Sequence, residues 1–252
     1  MHWIYLSPHL DDVALSCGGL IWEQAQAGNS AEIWTVCAGD PPPGPLSPFA
    51  ESLLARWQTG LAASALRRQE DLLACRAIGA SAVHFPVPDC IYRAGSSASN
   101  HWYASEQAIF GDLHPEEAHL VDSLSQEIAS RLPVGASLVA PLALGGHVDH
   151  RLVRQVVERL ESHHRLLFWF YADYPYVLRA AAELSTVTNG FQRTIFPISP
   201  AGLSAWEAAI AAHASQVSTF WPDLAAMQAA IQAYCLQAGG IPLWQNQNPN
   251  RA

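Results

Sequence analysis

The chain has 252 residues, 50% of them hydrophobic and only 14% charged, which places it among ordered globular proteins and gives it enough length for one large α/β domain. Its formal net charge is −9 and its 13 basic residues are all arginine, a balance that excludes the clustered basic face nucleic acid requires. Cys17, Cys37, Cys75, Cys90 and Cys235 make neither a Cys-x-x-Cys pair nor an even disulfide set, and no apolar run that could serve as a signal or membrane span precedes Asp11, so a reducing, cytoplasmic compartment without a membrane segment is expected.

In chain order, the apolar Trp3 to Leu6 reads as a buried strand stopped by Ser7-Pro8. From Asp12, placed to cap it, the spacing of Val13, Leu15, Cys17, Leu20, Ile21 and Ala25 predicts a helix closed by Gly28-Asn29. Ala31 to Cys37 reads as a second strand, and Pro41-Pro42-Pro43-Gly44-Pro45 is too proline-rich for helix or sheet. Helical spacing returns from about Leu61 to Ile78, ends at Gly79, and gives way to a strand over Ala82 to Phe85. Residues from about Arg93 to Pro115 read as an ordered surface loop. A strand follows over Ser137 to Ala140, ended by Pro141, then a helix to about Ser162, an aromatic strand over Leu166 to Tyr171, and an alanine-rich helical part over Ser204 to Gln237. Alternating strands and helices predict a parallel sheet covered on both faces, a single-domain Rossmann-like three-layer sandwich over residues 1–252.

Two clusters fall at the carboxyl ends of predicted strands: His9-Leu10-Asp11-Asp12, and His147-Val148-Asp149-His150. That edge is where open parallel sheets bind ligands. Each cluster alone reads more readily as a helix cap than as a ligand set. Together they supply imidazoles and carboxylates to one place, and two histidines with one carboxylate leave a position for water, as in catalytic zinc sites.

The string Ser7-Pro8-His9-Leu10-Asp11-Asp12, with Gly18-Gly19 after it and Gly-His-Val-Asp-His downstream, resembles the LmbE-like or PIG-L family of zinc-dependent N-acetylglucosaminyl deacetylases. Arg67-x-x-Glu70, Pro88-Asp89, Tyr171-x-Asp173-x-Pro175-Tyr176 and Ser215-Gln216 agree with it. The resemblance implies one zinc ion per chain on His9, Asp12 and His150, although other divalent ions suit the same donors. It implies Asp11 as general base and His147 as general acid or oxyanion stabiliser, with Asp149 either orienting an imidazole or capping a helix in solvent. Arg67 and Asp89 would contact the sugar, with Arg68 competing for the first place and a surface bridge to Glu70 as the alternative for either arginine. Tyr171, Asp173 and Tyr176 would line the pocket or belong to the core.

The implied substrate is a small-molecule amino-sugar conjugate, and a homo-oligomer is left open. Val148 stands where the family usually has proline, and Gly145 where the thiol-sugar deacetylases carry tyrosine. Two other readings share the fold: an amidase for a larger acyl or thiol conjugate, with walls from Pro41 to Pro48 and Arg93 to Pro115, and a non-catalytic carbohydrate- or nucleotide-binding module. The second lacks a Gly-x-Gly-x-x-Gly turn after the first strand.

Overall fold

The opening His-Trp-Ile-Tyr-Leu-Ser run alternates its side chains between two apolar layers, and this period of two begins the sheet. In the computed structural model, which describes residues 1–57, 60–95, 100–163 and 167–246, β1 (His2–Ser7) leads into α1 (Asp12–Gln26) and β2 (Ser30–Thr35). Next come α2 (Pro48–Trp57), α3 (Ala63–Ile78), β3 (Ser81–His84), the short α4 (Glu106–Ile109) and α5 (Ala118–Arg131). The strands β4 (Ser137–Pro141) and β5 (Leu167–Tyr171) flank α6 (Val148–His163). The last part holds α7 (Ala181–Val187), β6 (Phe191–Phe196), α8 (Pro200–Ala212), α9 (Ala214–Phe220), α10 (Leu224–Ala238) and β7 (Ile241–Asn246).

The seven strands form one sheet in the order β3-β2-β1-β4-β5-β7-β6. The first five are parallel, with Trp3 opposite both Ala31 and Ser137, whereas β7 runs antiparallel to its neighbours β5 and β6. Ile4 and Leu6 pack with α5 and α6 on one face, Trp3 and Tyr5 with α1, α3, α8 and α10 on the other. The α/β three-layer expectation therefore holds. The connection leaving β1 runs over one face and that entering β4 over the other, so a crevice opens at the carboxyl ends of β1 and β4.

Several boundaries differ from the sequence reading. The second strand stops at Thr35, though Val36 and Cys37 still donate their N–H groups to Ser7 and Pro8 carbonyls. A single 3₁₀ turn, Gly60–Ala62, precedes α3, and the C-terminal helical stretch is broken into α8, α9 and α10. Pro141 is the last residue of β4 rather than beyond it, and Leu166 lies outside the described residues. The edge strand β6 and its neighbour β7 have no clear sequence signal: β6 exposes Gln192, Arg193 and Ile195, and β7 carries Pro242.

Gly18 and Gly19 dock a helix. A Cβ at Gly18 would lie 2.6 Å from Trp206 Cδ1 of α8 and one at Gly19 3.1 Å from Trp206 Cε3. The Trp206 indole is fully buried there and donates to the carbonyl oxygens of Ala14 at 2.8 Å and Leu15 at 3.2 Å. Trp206→Ala is expected to cost about 3–5 kcal/mol, read from urea unfolding; a loss below about 1 kcal/mol would mean that α1 and α8 close the gap.

Candidate metal centre and active site

The chain turns at Pro8 so that His9, Asp11 and Asp12 stand at the carboxyl end of β1. Asp12 does not cap α1 as its position suggests: no side-chain cap bond forms, and Ser7 Oγ accepts the Val13 N–H at 3.2 Å instead. The Asp12 carboxylate turns back. Its Oδ2 accepts the His9 backbone N–H at 2.8 Å and lies 3.1 Å from His9 Nδ1 and 3.3 Å from His150 Nε2.

His150 reaches this point from the first turn of α6. Its Nδ1 is 2.6 Å from Asp173 Oδ1, just beyond β5, so the ring proton belongs on Nδ1 and Nε2 presents a lone pair. That Nε2 is buried and makes no hydrogen bond, although the Asp12 oxygen is near. His9 Nε2 is likewise 2.9 Å from Asp149 Oδ2, which turns the lone pair of Nδ1 toward Asp12. Three lone pairs thus converge where a cation belongs. The 3.1 and 3.3 Å separations from Asp12 to each histidine are close to the distance between two ligands about 2.0–2.1 Å from one divalent ion, about 3.3 Å. The ring nitrogens of His9, His147 and His150 can all lie within 4.8 Å of one another.

The charges agree. Burial pushes both imidazolium forms down, yet Asp12 and Asp173 outweigh it and hold His150 up at about 9, while Asp12 and Asp149 hold His9 well above its ordinary value. A place that attracts protons so strongly attracts a divalent ion for the same reason, so the residues fit a metal.

Around this centre, Asp11 Oδ1 accepts from Arg67 Nη2 at 3.2 Å, and Arg67 Nη1 lies 3.9 Å from Asp89 Oδ2, itself 3.9 Å from His9 Nε2. Arg67 faces the centre, over the Trp57 ring at 5.5 Å, while Arg68 turns away to the Ala38 carbonyl and Asp40. Neither meets Glu70, whose two oxygens accept from Ser215 N at 2.8 Å and Ser215 Oγ at 2.6 Å.

His147 Nδ1 accepts the Asp149 N–H at 3.2 Å. Burial, joined by the neighbouring histidines, pushes the ring down to about 3, so it is neutral at neutral pH with its proton on Nε2. Asp149 is no solvated cap: it is fully buried and accepts from Arg93 Nη1 at 2.5 Å and Cys90 N at 3.0 Å as well as facing His9. Tyr171 belongs to the core, donating to the Leu6 carbonyl, and Asp173 is buried under His150. Val148 begins α6 fully buried.

Some neighbours carry no sequence signal. Arg93, which also pairs with Glu117 at 2.6 Å, sits in no motif. His213 is almost wholly buried with neither ring nitrogen hydrogen-bonded and feels the charges of Asp11 and Arg67. Phe110 lies edge-on to His147, ring centres 5.5 Å apart. A cleft of about 340 Å³ is walled by Pro42, Pro45, Arg93 and Trp102, within the two segments expected to form pocket walls, but His9, His147 and His150 do not line it.

The family model described as GlcNAc-PI de-N-acetylase (PIG-L) matches residues 4–160. The 2'-N-acetylparomamine deacetylase of Niallia circulans is 30% identical over 188 residues, 69% of this chain and 67% of that protein. The enzyme of the same name from Streptomyces fradiae is 32% identical over 176 residues, so that the chain spans 57% of its length. Among solved structures, the zinc inhibited form of teicoplanin deacetylase Orf2 superposes with a TM-score of 0.81 at 23% identity, covering 97% of both chains. At that identity the likeness speaks for the fold.

Asp173 fixes the His150 tautomer, so Asp173→Ala is expected to lower metal affinity roughly 10- to 100-fold in competition with a chelator. Unchanged affinity would release Asp173 from that part.

Proposed function

The chain belongs to the PIG-L family, and from that premise we propose that it hydrolyses the acetamide of an N-acetylglucosamine-type sugar conjugate, with one zinc ion held by His9, Asp12 and His150. The approach of Asp12 Oδ2 to His9 Nδ1 and His150 Nε2, with the far ring nitrogens turned to Asp149 and Asp173, carries this reading, because it gathers one carboxylate and two imidazoles as a divalent ion would need them. The names of the two curated relatives support an amino-sugar conjugate as substrate. When bound, the ion supplies a Lewis acid and lowers the pKa of water from its bulk value to about 7.

The chain's own groups do the rest. Asp11 has one oxygen held by Arg67, which leaves the other oxygen to take the proton of the attacking water. The same oxygen can hand that proton to the departing amine. His147 serves as oxyanion stabiliser rather than proton source: its Nε2–H is available to the carbonyl oxygen as negative charge develops there. Asp149 orients His9 and Asp173 orients His150. Arg67 and Asp89, adjoining Asp11 and His9, offer a donor fork and an acceptor to sugar hydroxyls. We read residues 1–252 as one catalytic unit, and the unpaired cysteines as those of a chain that works in the cytoplasm.

Acetate release from N-acetylglucosamine conjugates, with zinc supplied, tests the activity. Asp11→Asn should keep its zinc by metal analysis while turnover falls on the order of a hundredfold or more; full turnover would remove Asp11 from the reaction. His150→Ala should lose the metal and the activity together, and a variant that still binds one equivalent tightly would displace His150 from the ligand set.

A further inference from the structure

The groups at the carboxyl edge of the sheet are arranged by character. Asp89, beyond β3, and Arg67, on α3, lie on the β3 side of the centre. Next come His9, Asp11 and Asp12 after β1, then His147 and His150 after β4, and Tyr176 beyond β5. The edge is thus polar at one end and aromatic at the other. An N-acylated amino sugar has matching ends, a hydroxyl-bearing ring on the amide nitrogen and an apolar chain on the carbonyl carbon.

The aromatic end is built from two rings. Tyr176 lies edge-on to His150, ring centres 5.6 Å apart and planes at 90°, and Phe110 lies edge-on to both His147 and Tyr176 at 5.5 and 6.1 Å. Tyr176 can approach because residue 145 is glycine: a Cβ there would stand 2.8 Å from Tyr176 Cδ1. Phe110 follows α4, and two residues on Asp112 pairs with Arg151 of α6 at 2.5 Å. Phe110 keeps 38% of its surface exposed, an apolar face open beside the histidines.

Resting on the function proposed above, we propose that Phe110 and Tyr176 form the wall that receives the acyl chain, and that Phe110 limits that chain to a short one. With the sugar ring on Arg67 and Asp89 and the carbonyl oxygen at His147, the acyl carbon points away from the polar end and toward these rings. A methyl group fits between them and the centre, and a longer chain meets the Phe110 ring.

The test compares N-acetyl-, N-butanoyl- and N-hexanoylglucosamine as substrates of the zinc-loaded wild type and Phe110→Ala. Each methylene that gains an apolar seat is worth about fourfold. In Phe110→Ala the ratio of kcat/KM for hexanoyl over acetyl should therefore rise about tenfold or more, chiefly through KM, while Phe110→Tyr keeps the wild-type ratio. An unchanged ratio in Phe110→Ala, or equal losses for all three substrates, would overturn the assignment and place Phe110 on the sugar or outside the site. Calorimetric titration of the same zinc-loaded proteins with acetate and hexanoate reads the wall without turnover. Phe110→Ala should gain affinity for hexanoate relative to acetate by a similar factor, and no gain overturns the wall. Failure of the wild type to release any of the three acids would instead count against the proposed reaction.

Discussion

One carboxylate oxygen facing two imidazole lone pairs inside the protein is the constraint on which the rest of this structure turns. Asp12 Oδ2 lies 3.1 and 3.3 Å from His9 Nδ1 and His150 Nε2, and a buried carboxylate so placed needs a proton or a cation to face. The fold supplies the means to keep them there. Pairing of β1 with β4 puts positions separated by more than a hundred residues side by side, so two turns end at the same crevice. Asp149 and Asp173 then lock the far nitrogens of the rings, which leaves neither imidazole free to rotate away.

The carboxylates that serve the centre need partners of their own. Arg67 stands against Asp11 and Asp89, and Arg93 lies between Asp149 and Glu117. Both guanidinium groups are nearly inaccessible to water, where removing either would strand buried negative charge. The chain thus places its positive charge around a negative centre without filling it. Guanidinium suits this because it stays ionised when buried and offers several donors in a fixed fork.

The sequence shows the strands β1, β4 and β5 well because strands buried on both faces read as unbroken apolar runs. His9, Asp11, Asp12, His147 and His150 are legible because each group is contiguous in the chain. What fails to show is of another kind. Whether Arg67 or Arg68 faces the centre depends on about a 100° rotation along α3, which alternation of small and polar residues leaves ambiguous. Arg93 and Phe110 act through partners 56 and 37 residues away, and no local pattern announces such a pairing. Only the cap expected of Asp12 fails, and for a physical reason: an aspartate at a helix start can serve the backbone N–H groups or turn to other partners, and here His9 and His150 draw its carboxylate away.

Gly145 and Tyr176 illustrate a trade between distant positions. The glycine has φ +79, and the volume its missing side chain would fill is taken by the aromatic ring of the other residue. Only one of the two positions can carry bulk at the mouth of the crevice. In related chains a large residue at the first should therefore accompany a small or displaced one at the second, so that the same space is furnished from either of two turns.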